Sequence, residues 1–539
     1  MAQWQINLLN YPKGIYFYPL MKKMLLIICL SSFYLSLAQP KYDGLEIVQG
    51  PLFGVKKRSV PTRFVGHDKS GFYIEYSKGK FGQGNLILQK FGYDLKPIKE
   101  QELSFNTAAG KAESWMIFKI GSKIYSCASS GSFIGKNFYF QEINSDNLNV
   151  GEPKLIGSVS SESSSVASLV SRIGFSKDSS FVSLIYTIPT RRADAEKLGV
   201  KTFDKNLEAI WENEYELPYT NKLLDPQKYL VTHDGSVFIL AKRFFDKRRE
   251  KIAGQVNYDY LLLKLLSDGS VDSINIQSEG KFLRGMNVDI TPTGDVVSGG
   301  FYSEKGNALT GGAYYMRING QTKEVVTSSF RPFDVDFFIA NMKEKKAEKL
   351  KEKIEEGKDV ELPSYYIDEF RTSADGSTQM IGEKRQITVN TVYSPYGSYT
   401  YYSYFYDDIA VVQIDPNGEI QWAERVAKKQ HTTNDNAAYS SYGAMTRANE
   451  TVFFFNDNAK NALYDGVGKV AAMAKGEDNM LMMVRMDKEG KMKRTGLMRQ
   501  GDADIKIRPI FSHQLNEKEF LIFGHQGVKT QRFFLMSFK

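Results

Sequence analysis

Short runs of alternating or clustered apolar residues recur along the whole chain, separated by turns built from Asp, Asn, Gly and Ser. The stretch DDIAVVQIDPNGEIQW, Asp407 to Trp422, shows the unit most clearly: an apolar run from Ile409 to Ile414, a turn at Asp415, Pro416, Asn417 and Gly418, and a second run from Ile420. Pro presets the first central turn position, and Asn and Gly tolerate the left-handed backbone that reverses a strand, so the stretch predicts a hairpin. Relatives are NLILQKFGYDLKPI from Asn85, NFYFQEINSDNLNV from Asn137, VKTFDKNLEAIW from Val200, DYLLLKLLSDGSV from Asp259, AYYMRINGQTKEV from Ala313 and NMLMMVRMDKEGKM from Asn479. The last relative, QRFFLMSFK from Gln531, has only its first strand.

A second kind of turn precedes each of these units. It reads HDKSGFYI at His67, IGSKIYS at Ile120, SKDSSFVS at Ser176, THDGSVFI at Thr232, TPTGDVVS at Thr291, SADGSTQM at Ser373, RANETVFF at Arg447 and LNEKEFLI at Leu515. The two kinds alternate without a break, which gives four strands per repeat and predicts an all-β chain folded as a single β-propeller of eight four-stranded blades. Seven is the count if one short unit is not a blade. Two separate all-β domains, divided near the charged segment after Phe338, are the competing arrangement. The chain ends favour a ring: the final unit lacks a fourth strand, while Gly44-Leu45-Glu46-Ile47-Val48 is an orphan strand able to complete it and remove an open edge.

Two segments break the pattern. Asn341 to Lys358, NMKEKKAEKLKEKIEEGK, is rich in helix formers, and its apolar stripe is limited to Met342, Ala347, Leu350 and Ile354. That predicts an inserted, charged surface helix over about 341–358 with a solvated outer face. Gln386 to Tyr406, QITVNTVYSPYGSYTYYSYFY, lengthens the sixth unit into a Tyr-rich hairpin over about 386–407.

Composition adds a folding class and an address. The 539 residues are 42% hydrophobic and 13% aromatic, a balance that supports a packed core. Met21-Lys22-Lys23, the apolar run Met24 to Leu37 and the small residues Ser36 and Ala38 before Gln39 predict a secretory signal over 21–38, within an N-terminal extension 1–38. Its apolar run is too short to span a bilayer, and Met1 and Met21 stand as alternative starts. The propeller is then expected over 39–539, with no transmembrane segment in the mature chain. Loss of Lys13, Lys22 and Lys23 lowers the formal charge from +8 to +5, which gives no reason to expect a nucleic-acid partner. Cys29 leaves with the signal, and Cys127, alone in the apolar run KIYSCAS, reads as a buried, inert thiol.

The signal MKKMLLIICLSSFYLSLAQ followed by hairpins such as IDPNGEIQW and MDKEGKM resembles exported β-propeller-like envelope proteins of Bacteroidota. The resemblance spans essentially the whole mature chain. It implies periplasmic or outer-membrane-associated residence and a protein partner, with an outer-membrane complex among the candidates.

Candidate chemistry gathers on one face. In a propeller the second-to-third strand loops share an end with the links between blades, and here those loops are the long ones. The first cluster is basic: Arg191 and Arg192 in the third unit, with Lys242, Arg243, Lys247, Arg248, Arg249 and Lys251 in the fourth. Such groups suit a carboxylate or phosphate, as in an acidic glycan, but the nearby Asp194, Glu196, Asp246 and Glu250 favour a solvated mixed-charge loop. The second is aromatic: Tyr396, Tyr399, Tyr401, Tyr402 and Tyr404, in a stretch that also holds Tyr393 and Tyr406. Tyr suits protein interfaces and can stack on a sugar, while alternation along a strand assigns about half of these rings to packing. The third, Asn456 to Asn479, contains Gly466, Gly468 and Gly476 and reads as a mobile flap.

Catalytic signatures are sparse. His67, His233, His431, His513 and His525 have no local metal-site spacing, and no nucleophile elbow or phosphate loop occurs, so no cofactor and no metal are expected. Ser373-Ala374-Asp375-Gly376 departs from the turn typical of sialidase-type propellers. The sequence reading is a non-enzymatic scaffold or binding protein of the cell envelope acting through the long-loop face. A glycan-active hydrolase or lyase is the alternative, distinguished by convergent carboxylates or His at the channel mouth.

Overall fold

The computed structural model describes Tyr42 and residues 44–539, apart from short internal stretches of which the longest are 79–84 and 161–170. The signal predicted over 1–38 lies outside the described residues. Strand after strand pairs antiparallel with the next, in eight meanders of the same plan. Blades 1 to 7 occupy 59–102, 110–160, 171–220, 224–276, 282–332, 365–426 and 443–499. Blade 8 takes its inner strands from 506–538 and its outermost strand from Leu45–Gln49. The chain is an eight-bladed β-propeller.

Burial follows position within a blade. Second and third strands are covered on both faces by the neighbouring blades, so they are continuously buried, as in Gly71–Lys78 (GFYIEYSK) and Val296–Ser303 (VVSGGFYS). Outer strands meet water and carry charge, as in Pro97–Glu102 (PIKEQE). First strands line the centre: those of blades 5 and 6 touch, and a parallel bridge from Ser176 to Val231 joins the ends of those of blades 3 and 4.

Apolar clusters weld each blade to the next. Val182 and Leu184 of blade 3 pack on Phe118 and Phe140 of blade 2, and Phe282 and Tyr314 of blade 5 pack on Leu240 and Tyr260 of blade 4. The ring closes through Phe72 and Phe91 of blade 1, which pack on Phe523 and Phe533 of blade 8. The closing strand runs antiparallel to Thr530–Phe538 with Leu45 opposite Phe538 and Gln49 opposite Phe534. Its Leu45 and Ile47 side chains enter the cluster shared by blades 7 and 8, beside Met445, Phe454 and Met536. A single ring replaces the two-domain alternative, because no break interrupts this sequence of shared clusters.

The turn chemistry is local. In the turns between first and second strands, Asp68, Asp178, Asp234 and Asp375 each accept a backbone N–H two residues on, from Ser70, Ser180, Ser236 and Ser377. Asp415 accepts from the Asn417 and Glu419 N–H groups, both at 2.9 Å, and Gly418 sits at φ 92°. The carboxylates, not the adjacent His67 and His233 rings, cap their turns. Between blades 5 and 6 the chain forms short helix Val335–Ile339 and then charged helix Glu344–Glu355, in which no residue is buried. Met342, Leu350 and Ile354 rest on the blade 5–6 cluster, as a surface helix with a narrow stripe requires.

Candidate binding face

Because strands alternate in direction, first-to-second and third-to-fourth turns share one end of the ring. Second-to-third loops and inter-blade links share the other. The second and third strands of blade 6 break this economy. They run Thr378–Ser394 and Gly397–Ile414, whereas the first strand stops at the Tyr365–Lys384 pair and the fourth pairs only with Ile409–Ile414. Beyond that point the two strands continue past the rest of the blade as a ribbon, paired down to Ser394 opposite Gly397.

Register sorts the ribbon's side chains. One face carries Ile387, Val389 and Tyr393 with Tyr402 and Tyr404, and the other carries Thr388, Asn390 and Val392 with Tyr399, Tyr401 and Phe405. Three cross-strand pairs, Ile387 with Tyr404, Val389 with Tyr402 and Val392 with Tyr399, join a β-branched residue to a ring, a favourable combination. Ile387, Val389, Val392, Tyr393 and Tyr399 are each more than half exposed, on both faces. The β-branched strand was missed by a reading that counted tyrosines; its signal was the alternation in QITVNTV.

The predicted Tyr residues divide. Tyr399 accepts a hydrogen bond from Asn434 Nδ2 at 2.6 Å and stacks with Tyr401 at a ring separation of 6.2 Å. Tyr402 is exposed, and its backbone is capped both ways by Asn434. Tyr404 is buried, its hydroxyl donating to Asn436 Oδ1 at 3.1 Å. Gln430–Thr433 pairs with Ser403–Tyr406 as a third strand at the ribbon's base, where His431 stacks on Phe405 at 4.3 Å. Tyr396 lies outside the described residues.

Beneath the ribbon is a set of buried ion pairs that the sequence did not reveal. Lys428 and Glu383, both fully buried side chains, meet at 2.6 Å; Lys428 also donates to the Tyr406 carbonyl at 3.0 Å, and Ser441 donates to Glu383 at 2.8 Å. Burial pushes the Glu383 carboxyl up, and Lys428 partly offsets this. Arg425 pairs with Asp408, also buried, and donates to the Phe337 carbonyl at 2.8 Å. Arg385 pairs with Asp368, to which Tyr442 also donates.

The same network gathers the other irregular segments. Asn341, at the foot of the inserted helix, donates to Asp408 at 2.8 Å and accepts from the Tyr464 hydroxyl at 2.7 Å. Of the flap expected over 456–479, residues 474–477 with Gly476 lie outside the described residues, and the described part is held by side-chain hydrogen bonds. Asn461 bonds Asp457 and both directions of the Ala471 backbone, Asn458 bonds the Ala472 carbonyl, and Asp457 is buried against Arg494 at 2.7 Å. Its order depends on partners distant in sequence. Leu463 and Val467 remain on its exposed side.

The basic residues sit elsewhere on this face, in the blade 4 loop. Arg248 donates to the backbone carbonyls of Lys222, Asn221 and Leu224 and lies 3.5 Å from Asp225, so its guanidinium secures the blade 3–4 link. Lys247 and Arg249 are exposed, and their carbonyls hold Asn257 Nδ2 at 2.8 Å each. Arg191 and Arg192 lie outside the described residues.

Two concavities are formed by described residues outside the ribbon. A cleft of about 230 Å³ opens on the short-turn end between blades 6 and 7, lined in part by Arg371, Asp375, Asp415, Arg447 and Glu450. Its carboxylates are engaged: Asp375 and Asp415 by turn N–H groups, Glu450 by Arg447 and Arg485. A second cavity, about 310 Å³, borders first strands of blades 6, 7 and 8, where Glu369 pairs with Arg371 and His513 is the only His of the lining. His513 stacks on Phe64 at 3.9 Å, and desolvation followed by the nearby His67 lowers it to about 4. No cluster of three or more His, Cys, Asp or Glu suited to a metal ion forms among the described residues.

No protein-family model and no curated protein matches the chain. Among solved structures it is similar to the Dos1 propeller at 9% identity and a TM-score of 0.38, over 90% of this chain and 95% of that one. It is also similar to the WD40 domain of SCAP from fission yeast at 8% identity and 0.34, over 93% and 97%. A third is an α-L-arabinanase of Penicillium chrysogenum solved with arabinobiose, at 10% identity and 0.30, over 64% and 94%. These likenesses concern architecture and carry nothing about function.

Proposed function

We propose that this chain is a non-enzymatic scaffold or binding protein of the bacterial cell envelope, exported by its N-terminal signal and acting through the long-loop face of the propeller. The observation that carries this is the ribbon: uncharged from Gln386 to Tyr406, exposed on both faces, and anchored at its base by buried ion pairs. Exposed apolar and aromatic surface held by a rigid scaffold is the usual form of a protein contact site. The charged groups at its base serve anchoring, since Arg425 and Lys428 are buried in ion pairs and the half-buried Arg385 is paired with Asp368.

The partner expected is an envelope protein, with an outer-membrane complex as the candidate assembly. Retrieval of the native protein from detergent-solubilised envelopes tests this. Recovery of a stoichiometric membrane partner supports the scaffold. A clean monomer that degrades a glycan overturns it in favour of a hydrolase or lyase.

A further inference from the structure

The ribbon has a free edge as well as two faces. From Gln386 to Tyr393 the second strand of blade 6 pairs only with the third strand, and no described strand lies along its other side. At about 3.4 Å per residue, this leaves an edge of roughly 27 Å whose backbone donors and acceptors point outward. The third strand differs: Gln430–Thr433 and Asn434 cover it up to Tyr402.

Two outer strands of the ring show how charge blunts an edge. The outer strand of blade 1 carries Lys99, Glu100 and Glu102, and that of blade 3 carries Glu212, Glu214 and Glu216. Charges of this kind resist pairing with another strand. The free edge has none, and its sequence, QITVNTVY, is β-branched at five of its eight positions with no Pro or Gly.

We propose that this edge pairs antiparallel with the same edge of a second copy, joining two ribbons into a four-stranded sheet between two propellers. Charge favours a copy as occupant. A two-fold arrangement sets the strand against its own sequence, which for the outer strand of blade 3, with Glu212, Glu214 and Glu216, brings like charges together, a destabilising contact; here every cross-strand pair is neutral. Geometry agrees. The ribbon tip is exposed on both sides, so it stands clear of the ring, and an antiparallel join places the two rings at opposite ends of the shared sheet. The inference goes beyond the binding role proposed above, since it concerns the edge and is tested on the purified protein alone.

The test is sedimentation equilibrium of the full mature chain over a dilution series, with Val389→Lys, Val389→Glu and an equimolar mixture of the two. Val389 is exposed on the ribbon, so thermal melting should not change in either variant. The wild type is expected to shift from one chain to two with concentration. Each charged variant should remain a single chain, and the mixture should recover the dimer as opposite charges meet. A wild type that stays a single chain at every concentration overturns the proposal, as does a dimer that persists unchanged in both variants. A single-chain wild type that takes up an unrelated uncharged, extended peptide also overturns it and assigns the edge to a foreign strand.

Discussion

Blade 8 is completed by five residues from the other end of the chain, and removing them tests the architecture quantitatively. Leu45 and Ile47 are buried in the cluster shared by blades 7 and 8, and Leu45–Gln49 forms the outermost strand of blade 8. Truncating a packed Leu or Ile to Ala costs about 2–5 kcal/mol. The ladder to Phe534–Phe538 contributes on the order of 1 kcal/mol per hydrogen bond. Deleting 42–49 therefore removes an amount comparable with the roughly 5–15 kcal/mol that holds a typical domain together. Urea unfolding followed by tryptophan fluorescence should show a large fall in midpoint for the deletion and a smaller, clear fall for Leu45→Ala and Ile47→Ala. Glu46→Ala, an exposed position on the same strand, should change little. Unchanged unfolding of the deletion would refute closure by this strand.

Other expectations concern single sites. Lys428→Met leaves Glu383 buried without its partner and should cost about 3–5 kcal/mol, most of it regained in Lys428→Met with Glu383→Met, as a double-mutant cycle in urea would measure. Glu75 is buried, accepts from Thr62 Oγ1 at 2.7 Å and Ile117 N at 2.6 Å, and burial raises its carboxyl. A raised folded value means that its contribution is fully present below the unfolded carboxylate value and is lost as pH rises through the folded one. Relative to Glu75→Gln, the wild type should therefore lose stability between acid and neutral pH, read from paired urea titrations. Asp415→Ala removes two turn hydrogen bonds and should cost about 1 kcal/mol without altering any binding, because this turn only reverses the chain.

The ring was legible because its signals are local. An Asp or Asn that accepts a neighbouring N–H does the same work in every blade, so Asp68, Asp234 and Asp415 can be recognised one turn at a time. The orphan strand at Leu45 was readable from the unit missing at the other end of the chain. The ion pairs were not. Glu383 lies beside Lys384 and Arg385 in sequence, and only the fold decides that it meets Lys428 instead of solvent. The 456–479 segment misled for the same reason: Gly466 and Gly468 are visible locally, whereas Arg494 and Asn341, which help to hold the segment, come from other strands and links. The Tyr-rich stretch marked the long hairpin of blade 6, yet Tyr404 is packed, and the β-branched residues opposite supply much of the exposed surface.

The central claim is that the ribbon is the contact element of an envelope scaffold. Its most direct test is retrieval from detergent-solubilised envelopes with the intact protein beside a version in which 387–402 is replaced by a tight turn, after confirming equal melting of both. The intact protein is expected to bring down a stoichiometric membrane partner and the shortened one to lose it. Equal recovery by both, or a partner-free monomer that cleaves a glycan, would contradict the account.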